Sequence, residues 1–415
     1  MIGLVRATCA AASLLILSTG CGSNGKVPSA DPASTHTHTH SHDGGLLPRR
    51  SDGGFSESDA GADDLLRVPP GFPEPVIPKD NPLTAEKIEL GRRLFYDERL
   101  SGNGTQSCGS CHKQAKAFTD SRAQGKGSTG QLHPRGSMSL ANVAYLSVLT
   151  WGNPLMDTLE RQTLGPMFGT EPVELGLVDE AMLVERLSDI PFYVSAFKAA
   201  YPDEAQPITL KHVVHAITSF ERTLISGRSA YDRWLAGDDD ALSASAQRGF
   251  ELFNGHPFEC FHCHGGFNFT DSVAYAGNTE AEPRFHNTGL YNLDGKGGYP
   301  EPNRGVYEIS RAEADMGAFR APTLRNIAVT APYMHDGSID TLSEVIDHYA
   351  AGGRTLGSGP NAGVGSKSPL KSNLITGFPI SAEERDDLLA FLNSLTDVTF
   401  LHDARFADPW ASDAP

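Results

Sequence analysis

The 415-residue sequence has too little positive charge to grip nucleic acid. Its 34 Lys and Arg stand against 51 Asp and Glu, a formal charge of −17, so the basic footprint of a nucleic-acid binder is missing. A cationic or neutral partner fits that balance better. Long apolar runs are lacking too: MIGLVRATCAAASLLILSTGCG carries Arg6 and an apolar stretch that stops at Leu17. That is the length and flank of an export signal, too short for a membrane span. Thiols are also scarce. Of six cysteines, Cys9 lies in the signal, Cys21 closes it, and the other four fall in two tight pairs. None is left for a disulfide, although an exported compartment permits one.

The small residues before Cys21 resemble a bacterial lipoprotein signal, with Ser18 where Leu is usual. On that reading residues 1–20 are the signal and Cys21 is the lipidated mature N-terminus, a membrane anchor; the alternative is a cleaved signal and a soluble exported product. Residues 21–68 are rich in Ser, Asp, Gly, Pro and Thr and poor in apolar side chains, so they read as a disordered tether. Within it THTHTHSH sets His36, His38, His40 and His42 at alternate positions, on one side of an extended chain. They suit copper, zinc or nickel, or else belong to a polar spacer with incidental histidines.

From Pro69 onward helical patterning dominates, and the length allows two domains. TAEKIELGRRLFYDERL (Thr84–Leu100) carries Ile88, Leu94 and Phe95 at helical spacing, and SASAQRGFELF (Ser243–Phe253) carries Phe250, Leu252 and Phe253 likewise. The two align at GRRLF and GFELF, and each is followed by a cysteine pair, so one helix-plus-cysteine unit occurs twice. Thr209–Gly227 is a further amphipathic helix closing the first unit. Ser381–Leu395, opening with a Ser381 to Glu384 capping box, closes the second. The expectation is a mainly α fold of two related domains, 69–235 and 236–400, with long Gly- and Pro-rich loops and a tail over 401–415.

The pairs are CGSCH (Cys108, Cys111, His112) and CFHCH (Cys260, Cys263, His264). Cys-x-x-Cys-His is the attachment signature of c-type haem: two thiols add to the vinyl groups and the adjacent His binds the iron. A zinc site would group four ligands, and a redox dithiol does not need the following His. Two copies in an exported chain favour two covalently bound haems. Nearby His256 and His262 read as surface residues or haem-edge neighbours.

Beyond these motifs, SFERTLISG (Ser219–Gly227), FHNTGL (Phe285–Leu290) and FRAPTLRNIAVTAPYMHDG (Phe319–Gly337) resemble the bacterial dihaem cytochrome c peroxidase and MauG family over roughly Pro69 to Asp397. FGTEPVELG and CFHCHGGFNF look most like its MbnH branch. The resemblance implies two cytochrome c-like haem domains, with peroxide handled at the first haem. It makes Trp151 the tryptophan between the haems, Gln162 the distal glutamine, Pro166 a wall of the pocket and Glu174 the distal carboxylate, with Glu171 as the competing choice. A carboxylate there would relay the proton that must move from the inner to the outer peroxide oxygen. It also implies calcium held in part by the carbonyls of Thr330 and Pro332, but Gly136 stands where the family's third ligand, an Asn, is expected. Phe258 replaces the tryptophan by which MauG oxidises a distant protein.

The sixth ligand of the second haem separates two activities. In APYMHDGSIDTLSEVIDHYA (Ala331–Ala350) the candidates are Met334, His335, His348 and Tyr349. Thr341 and Glu344 form a capping box, and Leu342, Val345, Ile346 and Tyr349 share one apolar face, with His348 beside it. The family register also lands on Tyr349 and makes Met334 and His335 loop residues near the haem. Met would raise the potential and suit a peroxidase that takes electrons from a cytochrome donor, whereas Tyr stabilises oxidised iron. The resemblance therefore implies a MauG-like, peroxide-dependent enzyme in which both haems share a high-valent state and a partner protein is oxidised. In the MbnH branch that partner is a copper-binding protein, MbnP, on which a tryptophan is converted. The alternatives are a hydrogen peroxide-detoxifying cytochrome c peroxidase and a non-catalytic dihaem electron carrier.

Overall fold

The computed structural model describes residues 64–279 and 284–411. The export signal, Cys21 and the four tether histidines lie outside the described residues. Helices dominate, and among the described residues the sheet is a single two-stranded pair. In the first half run α1 (Ala85–Phe95), α2 (Cys108–Cys111), α3 (Leu159–Phe168), α4 (Glu180–Ser188), α5 (Pro191–Ala200), α6 (Leu210–Arg222) and α7 (Ala230–Leu235). The second half adds α8 (Ala244–Asn254), α9 (Phe261–His264), α10 (Tyr307–Ser310), α11 (Leu342–Ala350), α12 (Ala382–Ser394) and α13 (Val398–His402), with β1 (Thr355–Leu356) paired antiparallel to β2 (Gly363–Val364).

Local chemistry sets these boundaries. Thr84, Thr209, Ser243 and Ser381 each accept a hydrogen bond from a backbone N–H of the first turn they precede, as N-caps do. The Ser381–Glu384 and Thr341–Glu344 capping boxes both form. One face differs from the sequence reading: α1 buries Lys87, Leu90, Gly91, Leu94 and Phe95, and Ile88 sits half-exposed at its edge.

The aligned glycines explain the repeat. A Cβ on Gly91 would clash with the carbonyl oxygen of Ala216 on α6, and one on Gly249 with the carbonyl oxygen of Asp387 on α12. Each half thus crosses its first and last helices at a point where only a hydrogen side chain fits. Leu94, Phe95, Ile217 and Phe220 form the core around the first crossing; Phe253, Leu388, Phe391 and Leu395 form the other.

Residues after α12 return to the first half. Phe400, Leu401 and Phe406 are buried in the α1/α6 core, Gln114 donates to the carbonyls of Phe400 and Asp403 (3.2 and 2.8 Å), and Trp410 Nε1 donates to Arg93 O (3.0 Å). The tail expected over 401–415 is therefore packed structure as far as it is described.

Candidate functional site: two cysteine–histidine segments and a shared cavity

Each Cys-x-x-Cys-His segment is a single helical turn following the α1 or α8 helix. All four cysteines are free and half-buried. Burial, followed by the neighbouring acids Glu221 and Glu174, pushes the Cys108 thiol well above its usual range; burial with Asp120 and Glu174 raises Cys111 to about 11. Cys260 is pushed up to about 12, again by burial. Burial thus favours the neutral thiol form at these three positions.

The two histidines are oriented alike. His112 Nδ1 faces Phe118 O at 2.7 Å, and His264 Nδ1 faces Phe269 O and Pro322 O at 3.2 and 3.1 Å. A ring whose Nδ1–H donates to a carbonyl leaves Nε2 as a free lone pair, the arrangement that metal-binding imidazoles adopt. Burial lowers both pKa values, which keeps that lone pair available. Donor chemistry and orientation thus fit haem iron at both segments.

A single cavity opens over the second segment, lined by Cys260, Cys263 and His264 on one side and by Leu342, Val345, Ile346 and Tyr349 of α11 on the other. The apolar stripe read from the sequence is this cavity wall. Tyr349 is half-exposed only because it faces the cavity; burial first, then the Cys263 and Cys260 thiols, raises its phenol far above the ordinary value. His348 points away from the cavity lining and is the more buried of the two, 4% exposed, its pKa lowered by burial to about 4. Met334 lines the cavity from a left-handed backbone position (φ 68°), and His335 stacks on Phe319 with centroids 3.7 Å apart. Phe258 lies against Phe378, centroids 4.5 Å apart, also on the wall. His256, 85% exposed, sits outside it beside Glu259, whereas His262, also beside Glu259, is on the lining.

The same cavity reaches Trp151, Gly136, Thr330 and Pro332, and Thr119–Arg122 just beyond the first segment. Trp151 Nε1 donates to Gly136 O at 3.4 Å, and Gly136 brings no side-chain oxygen to that wall.

The remaining site residues gather beside the first segment. Gln162 and Pro166 are one turn apart on α3 and share a face. Leu175 N donates to Pro166 O at 2.9 Å, which brings the neighbouring Glu174 to the helix end. Glu174 is half-buried, its pKa raised by desolvation, and its charge reaches both Cys108 and Cys111. Glu171 is exposed. Among the described residues no hydrogen bond joins Trp151 to Gln162 or Glu174, and of the three only Trp151 lines the cavity.

Three groups escaped the sequence reading. Glu160, two residues before Gln162, takes a two-pronged grip from Arg222 of α6 (2.7 and 2.9 Å) and fixes α3. His286 and Asp271 pair at 2.6 Å beside Cys263. Arg320 lies buried on the cavity wall. His286 and Arg320 belong to motifs already quoted, but only their spatial neighbours set them apart.

Comparison with known proteins identifies the family. The family model for di-haem cytochrome c peroxidase matches residues 85–240. The methylamine utilization protein MauG of Methylorubrum extorquens is 36% identical over 341 residues, covering 81% of this chain and 87% of its own. A cytochrome c peroxidase of Denitromonas iodatirespirans is 36% identical over 352 residues, covering 81% and 89%. A crystal structure of a MauG-like protein associated with microbial copper homeostasis superposes with TM-score 0.81 at 49% identity, covering 85% of this chain and all of that one. The chain therefore belongs to the di-haem cytochrome c peroxidase and MauG family of oxidoreductases.

Proposed function

We propose that the chain is a MauG-like enzyme that uses hydrogen peroxide to oxidise a partner protein. Two c-type haems would be bound covalently, one by Cys108 and Cys111 with His112 on the iron, the other by Cys260 and Cys263 with His264 and Tyr349 on the iron, in two cytochrome c-like domains divided near residue 235. When bound, these haems supply the redox-active iron that accepts the oxidising equivalents of peroxide.

The observation that carries the reading is Tyr349. Its phenol faces the cavity that holds Cys260, Cys263 and His264, on the capped helix α11, opposite the histidine whose Nε2 is free. Phenolate ligation stabilises oxidised iron, so that centre would be a poor entry port for electrons and a good store for an oxidising equivalent.

On the other side, Glu174 takes the proton from the inner oxygen of peroxide and returns it to the outer oxygen, which leaves as water. Burial raises its pKa, which favours the proton-holding form relative to an exposed carboxylate. Gln162 orients the peroxide through its amide, and Pro166 walls the site from the same face of α3. Trp151 would pass oxidising equivalents between the two segments, a role that its position on the cavity wall supports. Calcium would lie by the carbonyls of Thr330 and Pro332 on the cavity wall, where Gly136 supplies no side-chain ligand.

For the partner, the 49% identical structure's association with copper homeostasis supports a copper-handling protein of the MbnP type, with a tryptophan as the residue oxidised. The export signal and the extracytoplasmic attachment of haem c support a periplasmic or exported enzyme, anchored to a bacterial membrane by lipid at Cys21. Among the described residues no helix is long and apolar enough to cross a membrane. The 36% identity to a cytochrome c peroxidase favours one second reading, peroxide removal at the expense of a reduced cytochrome.

Adding one equivalent of peroxide to the diferric protein without donor separates the two. The expected result is an oxidised species that persists, decays faster when the partner is added, and is lost in Tyr349→Met. A diferric enzyme inert until one haem is reduced would overturn the MauG-like reading in favour of the peroxidase.

A further inference from the structure

FRAPTLRN (Phe319–Asn326) buries two arginines and treats them differently. Arg325 has both guanidinium branches on Asp232, at 2.9 and 3.0 Å, and its Nε donates to Phe267 O at 2.8 Å. That is the geometry of a satisfied buried ion pair. Arg320 is only 3% exposed, yet among the described residues no carboxylate pairs with it. Its three nitrogens reach Thr150 O at 3.3 Å, Ala321 O at 3.4 Å and the Met138 sulfur at 3.6 Å, all long for a charged donor. Asp271 is the carboxylate whose field reaches it, and Asp271 is taken by His286 at 2.6 Å.

A buried cation served only by weak neutral acceptors is costly, and proteins keep one where an anion arrives to meet it. Arg320 lines the cavity that also holds Cys260, Cys263, His264 and Trp151, and its backbone N–H donates to Trp151 O at 2.8 Å. The head group is thus held at the junction of the tryptophan and the second segment. Haem brings two propionate carboxylates, and guanidinium matches a carboxylate with two parallel N–H donors.

We propose that Arg320 is a built carboxylate-binding site that receives a propionate of the haem attached at Cys260 and Cys263, seating that haem against Trp151 and raising its potential. This rests on the reading that a haem is attached there. The positive charge favours the reduced, more negative form, so Arg320 opposes Tyr349 and keeps the centre from becoming too hard to reduce. Arg320 is a positioning residue; it touches the propionate edge and not the iron.

The test uses the haem-loaded enzyme. Haem is counted first as covalently bound c-type haem per chain, and the midpoint potential of each is then measured at pH 8, where a propionate is ionised. In Arg320→Gln one potential should fall by the equivalent of at least a tenfold weaker reduction equilibrium, about 59 mV for one electron. Arg320→Lys should stay within threefold of the native value. Two haems with unchanged potentials in Arg320→Gln overturn the proposal alone; fewer than two covalent haems in the unmodified enzyme overturn the underlying reading as well. Should Arg320→Gln fail to fold, a crystal structure of the unmodified holoenzyme decides. A propionate oxygen within hydrogen-bond distance of the guanidinium supports the proposal, and an inorganic anion or only water there overturns it.

Discussion

Glu160→Gln offers a perturbation whose size follows from the structure. Glu160 sits on α3, two residues before Gln162, with its side chain 21% exposed and that of Arg222 5% exposed. Its carboxylate accepts from both Arg222 branches, from Asn81 Nδ2 and from Thr218 Oγ1, each at 3.0 Å or less. Burial alone would raise its pKa, but the Arg222 guanidinium and the Asn81 amide hold it down at about 2, against an ordinary 4.5. Holding a carboxylate that far down is worth about 3 kcal/mol, in line with the roughly 3–5 kcal/mol lost on breaking a buried pair. Since the folded-state pKa is the lower one, this stabilisation is fully present above about pH 4.5 and is lost as pH falls through about 2. Urea unfolding followed by far-ultraviolet circular dichroism should show the variant about 3 kcal/mol less stable at pH 7. At pH 3 the gap should shrink to roughly half of that. A gap below about 1 kcal/mol at pH 7, or one equally large at pH 3, would refute the assignment of this pair as an electrostatic anchor.

Two further outcomes are expected. Glu174→Gln should slow peroxide consumption by about 10²- to 10⁴-fold in stopped-flow measurements, while Glu171→Gln leaves it unchanged; equal effects would remove Glu174 from its role. Gly249→Ala should force α8 and α12 apart and cost about 1–3 kcal/mol in thermal unfolding, and a variant as stable as the native chain would show that the crossing has slack.

What the sequence discloses is what local chemistry decides. The caps at Thr84, Thr209, Ser243, Thr341 and Ser381 lie within three residues of the N–H groups they satisfy, and the structure forms each of them. The stripe Leu342, Val345, Ile346 and Tyr349 needs only the helical period, and it lines the cavity. The paired glycines 91 and 249 could be aligned, but their reason, a carbonyl more than a hundred residues away, appears only in three dimensions. Arg320 and Arg325 are five residues apart in one motif and look alike on paper. Only the placement of Asp232 tells them apart. Likewise, nothing within α3 announces that Glu160 is held by Arg222, sixty-two residues on.

The return of the chain beyond α12 couples the second half to the first segment. Phe400 packs against Phe118, centroids 5.7 Å apart, and Phe118 supplies the carbonyl that orients His112. The first Cys-x-x-Cys-His segment thus leans on a residue more than two hundred and eighty positions further along the chain. The wall behind His112 is complete only when the second half has folded back onto the first. The two segments are therefore not independent modules, and a change that loosens Phe400 would reach the ring orientation of His112.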